Sequence, residues 1–275
     1  MNFVSQEQND FDEISSNNFY SIEDKINISI KATIKLFDMH IDEIFHNDIC
    51  SKVFIYNNLN NDVTITSTVN NNINKSDDIT YSKLQYLSPE QTGRVNKSTD
   101  YRSDLYSFGV VLFKLFTQKY PFEYKDPLKL IHSHIAQKPP SVNTINSALP
   151  NSLALIIDKL LSKDPDDRYQ SANGLCYDLQ QVLSFLKSKE TPDIKIATKD
   201  MSHRPIIPQK VYGRDNEIKN INELYNNVSK TNQKELLGIS GYSGIGKSSL
   251  IQQLYKSVRL DNSYVLKGKF IQYRS

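Results

Sequence analysis

The segment Gly241-Tyr-Ser-Gly-Ile-Gly-Lys-Ser248 constrains this chain more than any other, because it fits the spacing G-x-x-x-x-G-K-[ST]. A loop of this kind works only between a strand and the start of a helix. The apolar run Glu235 to Ser240 before it reads as a strand, the residues after it as a helix to about Val258, and Tyr264 to Phe270 as a second strand. Glycines at 241, 244 and 246 let the backbone curl so that successive N–H groups and the helix N-terminus face one anionic group. Lys247 would sit against β- and γ-phosphates, and Ser248 would offer its hydroxyl to Mg²⁺. Gly241, Gly244, Ile245, Gly246, Lys247, Ser248 and Ser249 are therefore the nucleotide-binding candidates, with ATP or GTP and Mg²⁺ as cofactor and Ser248 as the metal contact. A plain Gly/Ser turn between strand and helix is the competing reading. Hydrolysis asks for an acidic residue on a later strand, and none of the residues after Ser248 forms an apolar strand ending in Asp or Glu. The pattern supports binding rather than turnover.

At 275 residues the chain has room for two unequal domains. Lys plus Arg is 33 and Asp plus Glu is 31, so a net charge of +2 gives no electrostatic argument for nucleic acid or an anionic membrane. Cys50 and Cys176 stand far apart without a C-x-x-C pair, which favours a reducing, cytoplasmic setting. Met1 to Glu13 lacks the basic patch and apolar run of a signal peptide. Phe108 to Phe116 is far shorter than the ~20 residues that span a bilayer, so no membrane role is expected.

Residues 1–20 are rich in Asn, Gln, Ser, Asp and Glu and read as a disordered lead-in. Ile22 to Phe45 carries apolar residues at helical spacing. Lys52 to Tyr56 and Asp62 to Thr66 read as a hairpin joined through Asn57 to Asn61, and Asn70 to Asn74 as a mobile loop. Three apolar stripes predict core helices: Leu105 to Phe116, Leu153 to Leu161, and Leu175 to Leu186, the last with Ser171 as N-cap. Residues 188–210, with Pro192, Pro205 and Pro208, read as an interdomain linker, followed by a helical pattern at Asp215 to Val228. His132-Ser-His134 matches no metal-binding spacing on a helix, and packing or surface roles are expected for the histidines.

The ordered set Tyr86-Leu-Ser-Pro-Glu90, Asp104-Leu-Tyr-Ser-Phe-Gly109 and Lys163-Asp-Pro-Asp-Asp-Arg168 resembles the protein kinase C-lobe. Leu84 to Phe122 resembles large hybrid signalling proteins in which a Ser/Thr-kinase domain precedes an ATPase domain and a histidine kinase. Val211-Tyr-Gly-Arg-Asp-Asn-Glu217 resembles the opening motif of AAA-related and STAND-type ATPases, which makes Gly213 and Arg214 adenine-side candidates. A charged surface loop is the other reading of that motif. The resulting fold class is a mainly α kinase-like C-lobe, residues 21–187, plus a partial α/β P-loop NTPase domain, residues 211–275.

The resemblance implies that Glu90 pairs with Arg168 and that Asp104 caps the backbone around the catalytic loop. It also exposes losses. His46-Asn-Asp48 stands at the H-R-D position, leaving Asp48 as a degenerate orienting aspartate. The metal-binding Asn position holds Val53, the Lys and Pro positions hold Cys50 and Ser51, and the D-F-G position reads Ser67-Thr68-Val69. The Gly-Thr before Ser-Pro-Glu is Ser82-Lys83, and no glycine-rich loop or V-A-I-K-like strand precedes Ile22. These losses imply a pseudokinase that docks a signalling partner. Two alternatives stay open: a kinase or ATPase completed by another chain, and an incomplete copy of a larger hybrid kinase.

Overall fold

The computed structural model describes residues 8–66, 77–95, 97–188, 195–201, 213–231, 233–242, 245–247 and 250–251. The chain divides into two compact units, Met1–His203 and Arg204–Ser275. The loop read at Asn70 to Asn74, the strand at Tyr264 to Phe270 and the helix after Ser248, apart from the helical Leu250 and Ile251, lie outside the described residues.

The first unit begins with strand β1 (Gln8–Asp10) and helix α1 (Phe11–Ser16), where the composition of residues 1–20 predicts disorder. The correction has a local cause. Asp10 and Glu13 form a reciprocal capping box, and the two apolar residues one turn apart, Phe11 and Ile14, are fully buried. Phe11 packs on Phe54 with ring centroids 5.0 Å apart, while the Ser15 hydroxyl donates to the Lys114 carbonyl at 2.8 Å. Averaging over twenty residues hides a segment whose core partners come from elsewhere in the chain.

Helix α2 (Ile22–Ile41) starts at a second capping box, Ser21 with Asp24. The hairpin β2 (Phe54–Asn57) and β3 (Asp62–Ile65) follows, with Tyr56 opposite Val63. With β1 antiparallel to β2 these make a three-stranded sheet in the order β1-β2-β3. Then come α3 (Asp77–Leu84), α4 (Tyr101–Thr117), α5 (Pro127–Ala136), α6 (Val142–Ile145), α7 (Asn151–Leu160) and α8 (Ala172–Ser188). Helix α4 is the hub: almost every side chain on it is buried, and α1, α2 and α7 pack around it. Gly109 on α4 lets α7 approach, since a Cβ there would lie 2.8 Å from Leu160 Cβ. Helix α8 closes the unit against α2 and α7.

Residues 195–201, which fall in the stretch read as linker, form a turn held against the start of α8. In the second unit α9 (Asp215–Thr231) forms where the periodicity predicts a helix. Residues 233–240 carry no strand pairing with the described residues, and the neighbouring strand read at Tyr264 to Phe270 lies outside them. No helix among the described residues is long and apolar enough to cross a membrane.

Candidate functional site

The turn His46-Asn-Asp48 is built on α4. Asp104, in the first turn of that helix and almost fully buried, accepts from the His46 N–H at 2.9 Å and the Asn47 N–H at 2.8 Å. Its Oδ2 also meets His40 Nε2, on the last turn of α2, at 3.1 Å. Two backbone donors are thus fixed by one carboxylate, and Asn47 sits in the left-handed region at φ 58°, where Asn is among the better tolerated residues. His46 Nε2 reaches the Thr66 carbonyl at 2.9 Å, so that nitrogen carries the proton. Nδ1 is then the acceptor for the Asp48 N–H at 3.3 Å.

The Asp48 carboxylate, half-exposed, is paired to Lys83 Nζ at 2.5 Å. Sequence reading flags Ser82-Lys83 as a departure but gives no sign of this contact, which closes over 35 positions. Val53 is 0% exposed in the short 3-10 turn Ser51–Val53, packed in the core under β2. A branched hydrocarbon therefore fills the position from which the resemblance draws a metal-binding amide. Ser67, Thr68 and Val69 lie outside the described residues. Among the described residues no group of three or more His, Cys, Asp or Glu side chains is placed to hold a metal ion.

Glu90, in the 3-10 turn Glu90–Thr92, and Arg168 form a two-pronged ion pair of 2.7 and 2.8 Å with both side chains at most 1% exposed. The remaining guanidinium hydrogens go to the carbonyls of Arg102 at 3.0 Å, Ser162 at 2.8 Å and Lys163 at 3.2 Å. All five donors are used, the condition under which a buried charge is tolerated. The ring of Tyr106 covers the guanidinium face at 4.8 Å, and Ser103 donates to Glu90 at 2.6 Å. Burial pushes the Glu90 carboxyl up, but the Arg168 hydrogen bonds and charge, with Ser103, outweigh it and hold the carboxyl below the usual glutamate range.

Beside this pair lies a second buried cluster. His134 Nδ1 and the Tyr106 hydroxyl are 2.9 Å apart, and Lys163 Nζ stands 4.6 Å over the Phe122 ring. Burial, then the Lys163 charge, push His134 down to about 3, and burial with the Arg168 charge pushes Lys163 down to about 7. The packing role expected for the histidines is the one His134 has. Depressed values for His134 and Glu90 mean that the unfolded chain binds more protons than the folded one as pH falls from about 6.5 to about 3. The stability present above pH 6.5 is lost across that window, by a few kcal/mol. Denaturant unfolding followed by circular dichroism at a series of pH values is expected to show the midpoint dropping there; a flat profile would contradict the buried, neutral His134.

In the second unit, Lys247 Nζ donates to the carbonyls of Gly241 and Tyr242, both at 2.8 Å, so its ammonium lies within the curl of its own loop. Gly241 and Gly246 have φ of 153° and 91°, conformations that a side chain would strain. The two carbonyls holding Lys247 mark where an ammonium could instead meet phosphate oxygens. The Arg214 guanidinium donates to the Ile245 carbonyl at 2.8 Å, which ties the segment before α9 to the glycine loop. Gly213 has φ 70° and gives the chain its turn into α9. Gly244, Ser248 and Ser249 lie outside the described residues.

Comparison with known families places the protein kinase domain on residues 1–179 and the AAA ATPase domain on residues 210–275. The hybrid signal transduction histidine kinase G of Dictyostelium discoideum is 40% identical over 213 residues, covering 70% of this chain and 6% of that protein. Histidine protein kinase 1 of Candida albicans is 31% identical over 211 residues, covering 68% of this chain and 8% of the relative. A probable serine/threonine-protein kinase of Clostridium perfringens is 39% identical over 114 residues, 42% of this chain and 16% of the relative. The chain thus spans 6% to 16% of the length of these relatives.

Proposed function

Because the chain belongs to the protein kinase domain family, we propose that it is a cytoplasmic signalling protein whose kinase-like lobe is catalytically silent and docks a protein partner, while residues 241–248 bind ATP or GTP with Mg²⁺. The observation that carries the silent lobe is Val53, buried where a metal-binding amide is needed, beside an Asp48 already paired with Lys83. Phosphoryl transfer depends almost wholly on positioning and on metal-assisted charge neutralisation, and a hydrocarbon supplies neither. Glu90, Asp104 and Arg168 are meanwhile fully engaged, which keeps the lobe's shape without its chemistry. A folded lobe with a disarmed loop suits recognition of another signalling protein.

Bound to the second unit, nucleotide would supply phosphate oxygens to the loop N–H groups and to Lys247, with Ser248 facing the metal. Gly241, Gly244, Ile245, Gly246 and Ser249 would shape that cradle, with Gly213 and Arg214 as the adenine-side residues, and Arg214 already holds the Ile245 carbonyl. Calorimetric titration of Mg-ATP and Mg-GTP into the full chain tests the assignment. Binding at one site is expected, weakened about tenfold or more in Lys247→Ala through loss of its charge-assisted phosphate contacts. Asp48→Asn is expected to leave the binding unchanged. Loss in Asp48→Asn with none in Lys247→Ala would move the nucleotide to the kinase-like lobe. A second reading keeps Asp48 as a working orienting aspartate with the metal ligands supplied by another chain, favoured by the intact Asp104 cap under the loop.

A further inference from the structure

Residues 195–201 are attached to the kinase-like lobe by contacts of a built site. Both carboxylate oxygens of Asp200 are used: Oδ2 accepts from the Gln170 N–H at 2.7 Å and Oδ1 from the Ser171 hydroxyl at 3.0 Å. Ser171 in turn accepts from the Gly174 N–H at 3.0 Å, so its hydroxyl proton is committed to Asp200. Gly174 makes the approach possible, since a Cβ there would lie 2.4 Å from Asp200 Oδ1 and 2.7 Å from Asp200 Cα. The second of these atoms is backbone and cannot step aside.

Three residues earlier the turn makes an independent contact. Ala197 takes the left-handed conformation, φ 60°, unfavourable for a residue with a Cβ, and its N–H donates to Asp178 Oδ2 at 2.6 Å. Asp178 is 1% exposed and also accepts from the Tyr169 hydroxyl at 2.5 Å. Lys199 lies over the Tyr177 ring at 4.3 Å. A strained backbone maintained to meet a buried carboxylate, together with a side-chain carboxylate received by a glycine-opened helix start, is the geometry of recognition. Chance contact of a polar linker would show neither.

We propose that the start of α8, formed by Gln170, Ser171, Gly174 and Asp178, is a docking site for a short turn bearing an aspartate, and that its resident occupant is this chain's own segment 195–201. The segment is a releasable strap, held through Gln170, Ser171, Asp178 and Tyr177. The site reads an Ala-x-x-Asp turn through one buried acceptor and two donors, which defines the chemistry a competing partner segment would need.

Limited trypsin digestion of the full chain tests this, with cleavage after Lys195 and Lys199 reporting strap release and cleavage after Lys159 on α7 reporting unfolding of the lobe. Asp200→Ala is expected to speed the two strap cleavages about tenfold or more and to leave the Lys159 cleavage unchanged. A synthetic peptide of residues 193–203 should then bind the Asp200→Ala chain, while the same peptide with alanine at position 200 should not. Unchanged strap cleavage, equal acceleration after Lys159, or equal binding of the two peptides would each overturn the proposal.

Discussion

Replacing Arg168 by methionine is expected to lower the unfolding free energy of the kinase-like lobe by about 3–5 kcal/mol, the usual consequence of orphaning a buried charge. The substitution strands Glu90, whose two oxygens rely on the guanidinium, and leaves the carbonyls of Arg102, Ser162 and Lys163 without their donor. Methionine keeps most of the volume over the Tyr106 ring, so the loss reports electrostatics more than packing. The pair is not thereby a net source of stability. Joint replacement of Glu90 by glutamine and Arg168 by methionine is expected to recover part of the loss, because no buried charge is left unmatched. Denaturant midpoints of the two variants measure both effects. A loss below about 1 kcal/mol in the single variant, the range of exposed pairs, would contradict the burial assigned to this site.

Asp104→Ala is the second large effect, about 2–4 kcal/mol from two part-buried backbone donors left unpaired. His46 and Asn47 would lose the acceptor that holds their N–H groups, and the left-handed Asn47 would lose the constraint that keeps it there. The turn carrying Asp48 should loosen locally as well. Hydrogen exchange at residues 46–48 is therefore expected to accelerate more than the fall in global stability accounts for. Asp104→Asn should fall in between, since one amide oxygen can still accept from the backbone.

The sequence made the helical skeleton legible wherever burial is one-sided. The stripes of α2, α4, α7 and α8 stand out because each helix buries one face or, for α4, nearly all of it. Glu90, Asp104 and Arg168 were legible as a set, through spacing of motifs that the fold brings together. Helix α1 was missed, although Asp10 and Glu13 at capping-box spacing, with Phe11 and Ile14 one turn apart beside them, were a readable signal drowned in a polar window. The docking of Asp200 on Gly174 was not readable, because it rests on a close backbone approach with no periodicity. The hydrogen bond from Arg214 to the Ile245 carbonyl was not readable either, a contact across 31 positions that no local pattern encodes. Lys83 belongs to the same class: its identity was visible, and its partner Asp48 was not.

The separation of shape from chemistry in the lobe can be measured directly by incubating the full chain, with a general protein substrate, in Mg-ATP labelled on the terminal phosphoryl group. With Val53 buried and Asp48 paired to Lys83, the account predicts no label on the chain or on the substrate above that of a heat-denatured control. Label that appears with the native chain and disappears in Asp48→Asn would contradict it, and would make the kinase-like lobe a working transferase.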